Sequence, residues 1–324
     1  MFKLREALVE ACITLIIGGL IGATVGVVAN LFVIGVESLG AHREASSLFS
    51  VNLGGQTVSL SSLLFLWAAA AAVLFIKTSL NINQWAGPAD SIFAAQQQYQ
   101  PLNIKQGFAS TLGAFASAGG GASVGQYGPI VHFGATVGVW AKRFVSSRLS
   151  DDIYLGCGVA AAISAGFNAP IAGIIFAHEA VLRHFSMRAI APITIASISA
   201  STLGNYWFPN TASLNIAAVV PSLSEVVPTL VVLAPMFSLV ALVFMLTLRR
   251  ASSVASLLKL SPTKLLFLGA TICGLVGLWI PQILGLGISS INHMIAGEFS
   301  LWLLATVLIA KILMTAVCLG CGLP

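Results

Sequence analysis

Charge is scarce in this chain. Of its 324 residues only 8% are Asp, Glu, Lys or Arg, against 57% hydrophobic, and the mean hydropathy is +0.97. That excludes an ordinary soluble domain, in which about a quarter of the residues are charged. The charges are also unevenly spread, leaving none in 11–36, 45–76, 106–141, 153–178, 189–224, 226–248 and 265–297. Each window is longer than the ~20 apolar residues of one helical span. The Leu, Ile, Val, Ala and Phe runs do not alternate with polar residues, so the ~10-residue pattern of a membrane β-barrel is missing too. The chain reads as an all-α, multi-pass integral membrane protein with the lipid bilayer as its solvent, organised as one membrane domain over 1–324.

Other shortages narrow the function. The five cysteines, Cys12, Cys157, Cys273, Cys318 and Cys321, are odd in number and mostly apolar in setting, which argues against a disulfide framework. The Cys318/Cys321 pair has no second CxxC or His pair nearby, so no metal site and no cofactor is expected. The net charge of +5 comes without a basic stripe interleaved with aromatics. It fits Lys and Arg flanking membrane spans, and no nucleic-acid partner is expected. GxSxG, HExxH and paired intramembrane Asp are all missing, which argues against an enzyme. The N-terminal MFKLREALVEAC precedes an apolar run too long for a secretory signal and reads as an uncleaved first helix.

Along the chain, the pattern predicts a helix over 8–36, an exposed loop over 37–57, and a span from Leu60 to Ile76. Residues 81–101 are too polar to cross lipid alone. Gly87 and Pro88 mark a helix start there, and a short buried helix is expected through Gln98. The uncharged window 106–141 holds Gly119, Gly120, Gly121, Gly125, Gly128 and Pro129 and predicts two half-helices meeting at a break. A second break falls at FNAP, Phe167–Pro170, between helices over 155–166 and 171–183. After a looser stretch at 203–228, spans are expected near 229–248 and 264–280, a break at 281–287, and a last span over 301–319. Broken helices at membrane depth survive only where the loose backbone is buried in protein or lines a polar cavity. Repeated breaks therefore point to a permeation pathway.

The chemistry of such a path follows from the helix ends. A helix N-terminus presents free amides and about half a positive charge. Trp85-Ala86-Gly87-Pro88 and Gly125-Gln126-Tyr127-Gly128-Pro129 offer two such starts with no Lys or Arg beside them. Backbone dipoles hold an ion without trapping it as a buried Arg would, so these residues are the candidate anion pathway. Asp90 reads as a carboxylate that stabilises the start of its short helix. His132 lies five residues past Tyr127 and points away from it. Of the remaining intramembrane ionisable groups, His178 and Glu179 are candidates for a proton relay, with structural hydrogen bonding as the competing reading.

GGGASVGQYGPIVHFGA (119–135), CGVAAAISAGFNAPIAGIIFAHEAV (157–181), PQILGLG (281–287) and AGEFSLWLLATVLIAKILMTAVCLGCGLP (296–324) resemble, in order, signature segments of the CLC family of chloride channels and chloride/proton antiporters. The resemblance covers nearly the whole chain, and FNAP followed by AGIIF and a Glu is its most specific part. It implies an inverted-repeat fold of tilted and broken helices, a homodimer with one pore per subunit, and chloride or another small anion as the partner. TAVCLGCGLP (315–324) loosely echoes TLGAFASAGGGASVGQYGP (111–129), as an internal repeat would. The expected division is a first repeat over about 1–204 and a partial second repeat over about 205–324. The Gly-x-Phe-x-Pro segment that completes the family's anion cage is expected beyond Pro324. A bacterial-type inner (plasma) membrane is the expected location.

The departures from the family pattern shape the functional expectation. Tyr127 stands at the gate position, where the resemblance implies a glutamate, and Gln126 replaces a basic residue. Ala86 falls where a serine hydroxyl would meet the central anion. Ala180 stands where proton-coupled members place a second glutamate. Tyrosine stays neutral far above physiological pH, with an unperturbed pKa of about 10. The expectation is passive passage of chloride with weak pH dependence, as a channel or uncoupled transporter. The alternatives are a proton-coupled antiporter using a non-standard route and a fluoride-selective relative.

Overall fold

The computed structural model describes residues 2–46, 50–53, 56–96, 102–145, 149–209 and 222–324. Among the described residues the regular structure is helical apart from one antiparallel hairpin, β1 (Ser50–Leu53) paired with β2 (Gln56–Ser59) in the register Val51 to Val58. The helices are α1 (Phe2–Ala45), α2 (Ser61–Ser79), α3 (Pro88–Gln96), α4 (Ile104–Gly119), α5 (Tyr127–Lys142), α6 (Asp151–Phe167) and α7 (Pro170–Phe176). They continue with α8 (Met187–Trp207), α9 (Leu223–Leu257), α10 (Pro262–Trp279), α11 (Ile288–Ile295) and α12 (Leu301–Gly320). Among the described residues, five are long and apolar enough to cross a membrane: Cys12–Ala45, Ser61–Ser79, Ser224–Leu257, Pro262–Trp279 and Leu301–Gly320.

The first two anticipated breaks are present. The first separates α4 from α5 across residues 120–126. At the second, Asn168 takes a left-handed conformation (φ 50°) that ends α6, and Pro170 opens α7 from its first turn, a position where the missing N–H costs nothing. Beyond α7 the chain loosens into a π-helical turn, Ala177–Leu182.

Three expectations are corrected. The loop expected from residue 37 is helical through Ala45, because the charged cluster there is not uniformly solvated: Arg43 is only 4% exposed and its carbonyl accepts the Ser61 hydroxyl at 3.2 Å. The short helix α3 is not buried, since only Ser91 among its residues is fully enclosed and Asp90 is exposed. Its expected extension to Gln98 lies outside the described residues, as do 210–221 of the looser stretch. The span near 229–248 belongs to a 35-residue helix that runs through Pro228 and Pro235, a continuity membrane helices tolerate when local adjustments re-satisfy the backbone.

The chain forms two compact units. The first comprises Met1–Ser38, Phe75–Phe115 and Gly125–Ser213. Its centre is α6, buried almost throughout and packed between α5 and α8. The approach to α5 depends on glycine. A Cβ on Gly158 would overlap the Gly134 backbone carbonyl, and one on Gly134 the Gly158 carbonyl, a close contact of the kind small residues allow between membrane helices. Towards α8, the Ser164 hydroxyl donates to the Ser197 carbonyl at 2.6 Å and the Ser197 hydroxyl to the Pro170 carbonyl at 2.7 Å. Ser201 and Asn205 both donate to the Asn168 side-chain oxygen, at 2.9 and 2.8 Å, which fixes the FNAP corner.

The second unit comprises Leu39–Leu74, Ala116–Val124 and Leu214–Pro324. Ser261 and Ser300 cap α10 and α12 by accepting from Lys264 and Leu303 amides, and Ser222 with Glu225 forms a capping box on α9. The break expected at 281–287 is a short 3₁₀ turn, Pro281–Ile283, leading to Gly287 at the start of α11. Its loose carbonyls are held by a residue that the apolar run around it conceals. Lys311 of α12 donates to the carbonyls of Ile283 and Gly285, both at 2.8 Å. Replacing it would orphan two carbonyls, so Lys311→Met is expected to cost about 3 kcal/mol, read as a lowered thermal midpoint in detergent. A midpoint equal to wild type would contradict this role.

Candidate functional site

The first unit brings the two candidate helix starts together. A Cβ on Gly128, in the first turn of α5, would lie 3.5 Å from the Pro88 ring that opens α3. Helices α3 and α5, whose starts carry Trp85, Ala86 and Gly87 and Gly125, Gln126, Tyr127, Gly128 and Pro129, thus meet at Pro88 and Gly128.

The two starts differ in what their amides do. On α5 no side chain caps the N-terminus, and among the described residues the Tyr127 and Gly128 amides donate to no protein acceptor. Pro129 has no N–H to offer, so these two donors carry the positive end of the α5 dipole. On α3 two amides are already occupied: Ala86 N–H donates to the Ser110 hydroxyl at 2.8 Å and Gly87 N–H to Asp90 Oδ2 at 2.7 Å. Asp90 therefore caps its helix, in line with the macrodipole reading, while sitting on a donor expected to face the anion. Nothing in the linear pattern marks Ser110, which reaches Ala86 from α4 only through the fold.

The Tyr127 side chain does not hang free. Its ring stacks on Phe167 of the FNAP corner, with centroids 3.9 Å apart and planes at 17°. Gly166 makes room for it, since a Cβ there would come within 2.9 Å of the tyrosine ring. The two breaks are thus coupled through one aromatic pair. Gly166→Val is expected to push the ring off Phe167 and change anion flux at least threefold without unfolding the protein. Unchanged flux would show that the ring's seat does not matter. Gln126 is 5% exposed with its side-chain oxygen buried and unpartnered.

His178 and Glu179 do not form a pair. They are consecutive in the π-helical turn, His178 1% exposed and Glu179 exposed, so they project to different sides. The His178 ring stacks on Phe185 at 4.9 Å and its Nδ1 lies 3.3 Å from the His184 carbonyl, with Nε2 unpartnered. His132 makes a stronger contact. Its Nδ1 is 2.7 Å from the Ser91 hydroxyl of α3, and its buried Nε2 has no partner. No group of three or more metal-ligating side chains occurs among the described residues.

Comparison with known proteins agrees with this architecture. Two relatives are H(+)/Cl(-) exchange transporters ClcA: that of Yersinia pseudotuberculosis serotype IB (strain PB1/+), 24% identical, and that of Vibrio vulnificus (strain YJ016), 27% identical. Each alignment covers 96% of this chain and, respectively, 67% and 68% of the relative, so the chain spans about two thirds of their length. Among solved structures, a CLC-type fluoride/proton antiporter superposes with a TM-score of 0.78 at 21% identity, covering 97% of this chain and 76% of that one. A slow cyanobacterial Cl-/H+ antiporter gives 0.78 at 19% identity, covering 96% and 74%. Residues 67–324, through both breaks and the Lys311 helix, match the family described as voltage gated chloride channel, and this chain belongs to that family.

Proposed function

We propose that the protein passes chloride through a lipid bilayer, holding the anion on the free Tyr127 and Gly128 amides at the start of α5. The observation that carries this reading is an uncapped helix start, with no Lys or Arg beside it, meeting a second helix start at Pro88. Preorganised amides in a low-dielectric setting bind an anion while leaving it free to move on. Family membership and the relatives' chloride exchange activity support chloride as the ion. One structural neighbour is a fluoride antiporter, which keeps fluoride as the rival anion. Homodimerisation, the division into a first repeat over about 1–204 and a partial second over about 205–324, and an inner-membrane location in a bacterial cell complete the proposal.

Passage is passive in this reading, because neither Tyr127 nor Ala180 can carry a proton. A second reading, proton-coupled exchange by a non-standard route, is favoured by the buried and unpartnered Nε2 of His178 and by the exchange activity of the relatives. Proteoliposomes decide between them. Under an imposed chloride gradient, chloride efflux without proton movement is the expected result, with fluoride slower than chloride. Uphill proton flux that disappears in His178→Ala would establish coupling, and the passage of no halide at all would defeat both readings.

A further inference from the structure

Deepening the anion-path reading, on which this rests, the occupied amide at the start of α3 calls for its own account. Asp90 Oδ2 holds the Gly87 N–H at 2.7 Å, yet the Asp90 side chain is exposed and not wedged by packing. Asp90, Ala86, Gln106 and His132 line a cavity of about 200 Å³, room for several waters at about 30 Å³ each. His132 enters from α5, 1% exposed, with Nδ1 on the Ser91 hydroxyl and Nε2 buried without a partner. Buried polar atoms are nearly always satisfied, so an orphaned ring nitrogen beside a polar cavity points to a ligand that comes and goes. In the tautomer whose Nδ1–H donates to Ser91, Nε2 keeps its lone pair and can take a proton from cavity water.

We propose that Asp90 is an internal competitor of the transported anion and that His132 is the proton acceptor that displaces it. With His132 neutral, the carboxylate occupies the Gly87 amide and its charge repels an anion from both helix starts. When a proton binds Nε2, the imidazolium cancels that charge and its new N–H offers Asp90 another partner. Gly87 N–H then opens toward the anion, next to the Tyr127 and Gly128 amides. The proton returns to the cavity water as pH rises, so it regulates passage and is not exchanged for chloride, adding a pH dependence in place of the weak one expected from Tyr127 alone. The titratable groups on the neighbouring elements are Lys105 on α4, Glu179 and His178 on the π-helical turn, and Asp151, Asp152, Tyr154 and Cys157 on α6. On α5 itself they are Tyr127 and Lys142. None of these lines the cavity.

The test is chloride binding by calorimetry on the detergent-solubilised protein, together with efflux from proteoliposomes, each at pH 7.5 and 5.5. Wild type is expected to gain at least threefold in both on acidification, as the protonated share of His132 rises. His132→Gln, which can still bond Ser91, is expected to stay at the low level at both pH values. Asp90→Asn keeps a capping oxygen without the charge and is expected to stay at the high level at both. A pH step that survives in His132→Gln or Asp90→Asn overturns the inference and leaves the anion-path reading standing. Wild type that neither binds nor passes chloride at either pH defeats the anion-path reading, and this inference with it.

Discussion

Tyr127→Glu is expected to lower chloride flux at pH 7.5 by about tenfold, equivalent to about 1.4 kcal/mol of lost anion affinity, and to recover it on acidification to about pH 4. The ring of Tyr127 rests on Phe167 with its backbone N–H unpaired at the α5 start. A carboxylate on a shorter, unstacked side chain is free to swing onto that amide and the adjoining Gly128 N–H. There it competes with the anion while ionised and withdraws once protonated, near the ordinary carboxylate range of about 4. Sign and window follow together: flux is suppressed above that pH and restored below it. Tyr127→Phe retains the stack and removes only the hydroxyl, so a change under threefold is expected. Efflux rates of the three proteins between pH 4 and 7.5 check this. A Tyr127→Glu protein that conducts like wild type at pH 7.5 would place the anion elsewhere.

The second large effect concerns the scaffold. Gly158→Val is expected to prevent folding, because its side chain would collide with the backbone of Gly134 and force α5 away from α6. Backbone overlap cannot be relieved by a rotamer change, and a cost above about 4 kcal/mol is expected, at the upper end for single substitutions. The start of α5 carries the free amides, so the same separation would also dismantle the site. Size-exclusion chromatography in detergent should show aggregate in place of a monodisperse peak. A Gly158→Val protein that elutes normally and melts within a few degrees of wild type would contradict the packing described here.

What the sequence discloses and what it hides divide along physical lines. The glycine-rich break before Tyr127 and the FNAP corner are legible because helix interruption is a local property: Gly, Asn and Pro act on their own backbone. The candidate amides are legible for the same reason, since they depend only on where a helix starts. Ser110 on Ala86, Asp90 on Gly87 and His132 on Ser91 depend on how α4 and α5 lie against α3, which no local pattern encodes. His132 meets Ser91 of α3 while the Tyr127 ring rests on Phe167 of α6, partners that helical spacing alone does not name. Arg43 and Lys311 were obscured in opposite ways, one inside a charged cluster that resembles a loop and the other inside a run that resembles plain lipid-spanning helix. Contacts distant in sequence hold both: the Ser61 hydroxyl donates to the Arg43 backbone carbonyl, and the Lys311 ammonium donates to the carbonyls of Ile283 and Gly285.

The central claim is that backbone amides at the start of α5 hold the anion, and anomalous diffraction from crystals of the protein grown in bromide tests it most directly. The account predicts a bromide peak within about 3.3 Å of the Tyr127 and Gly128 nitrogens, the reach of an amide N–H to a halide, with no Lys or Arg side chain in contact. Bromide ordered only on Lys or Arg side chains, with the α5 start empty at saturating halide, would contradict it.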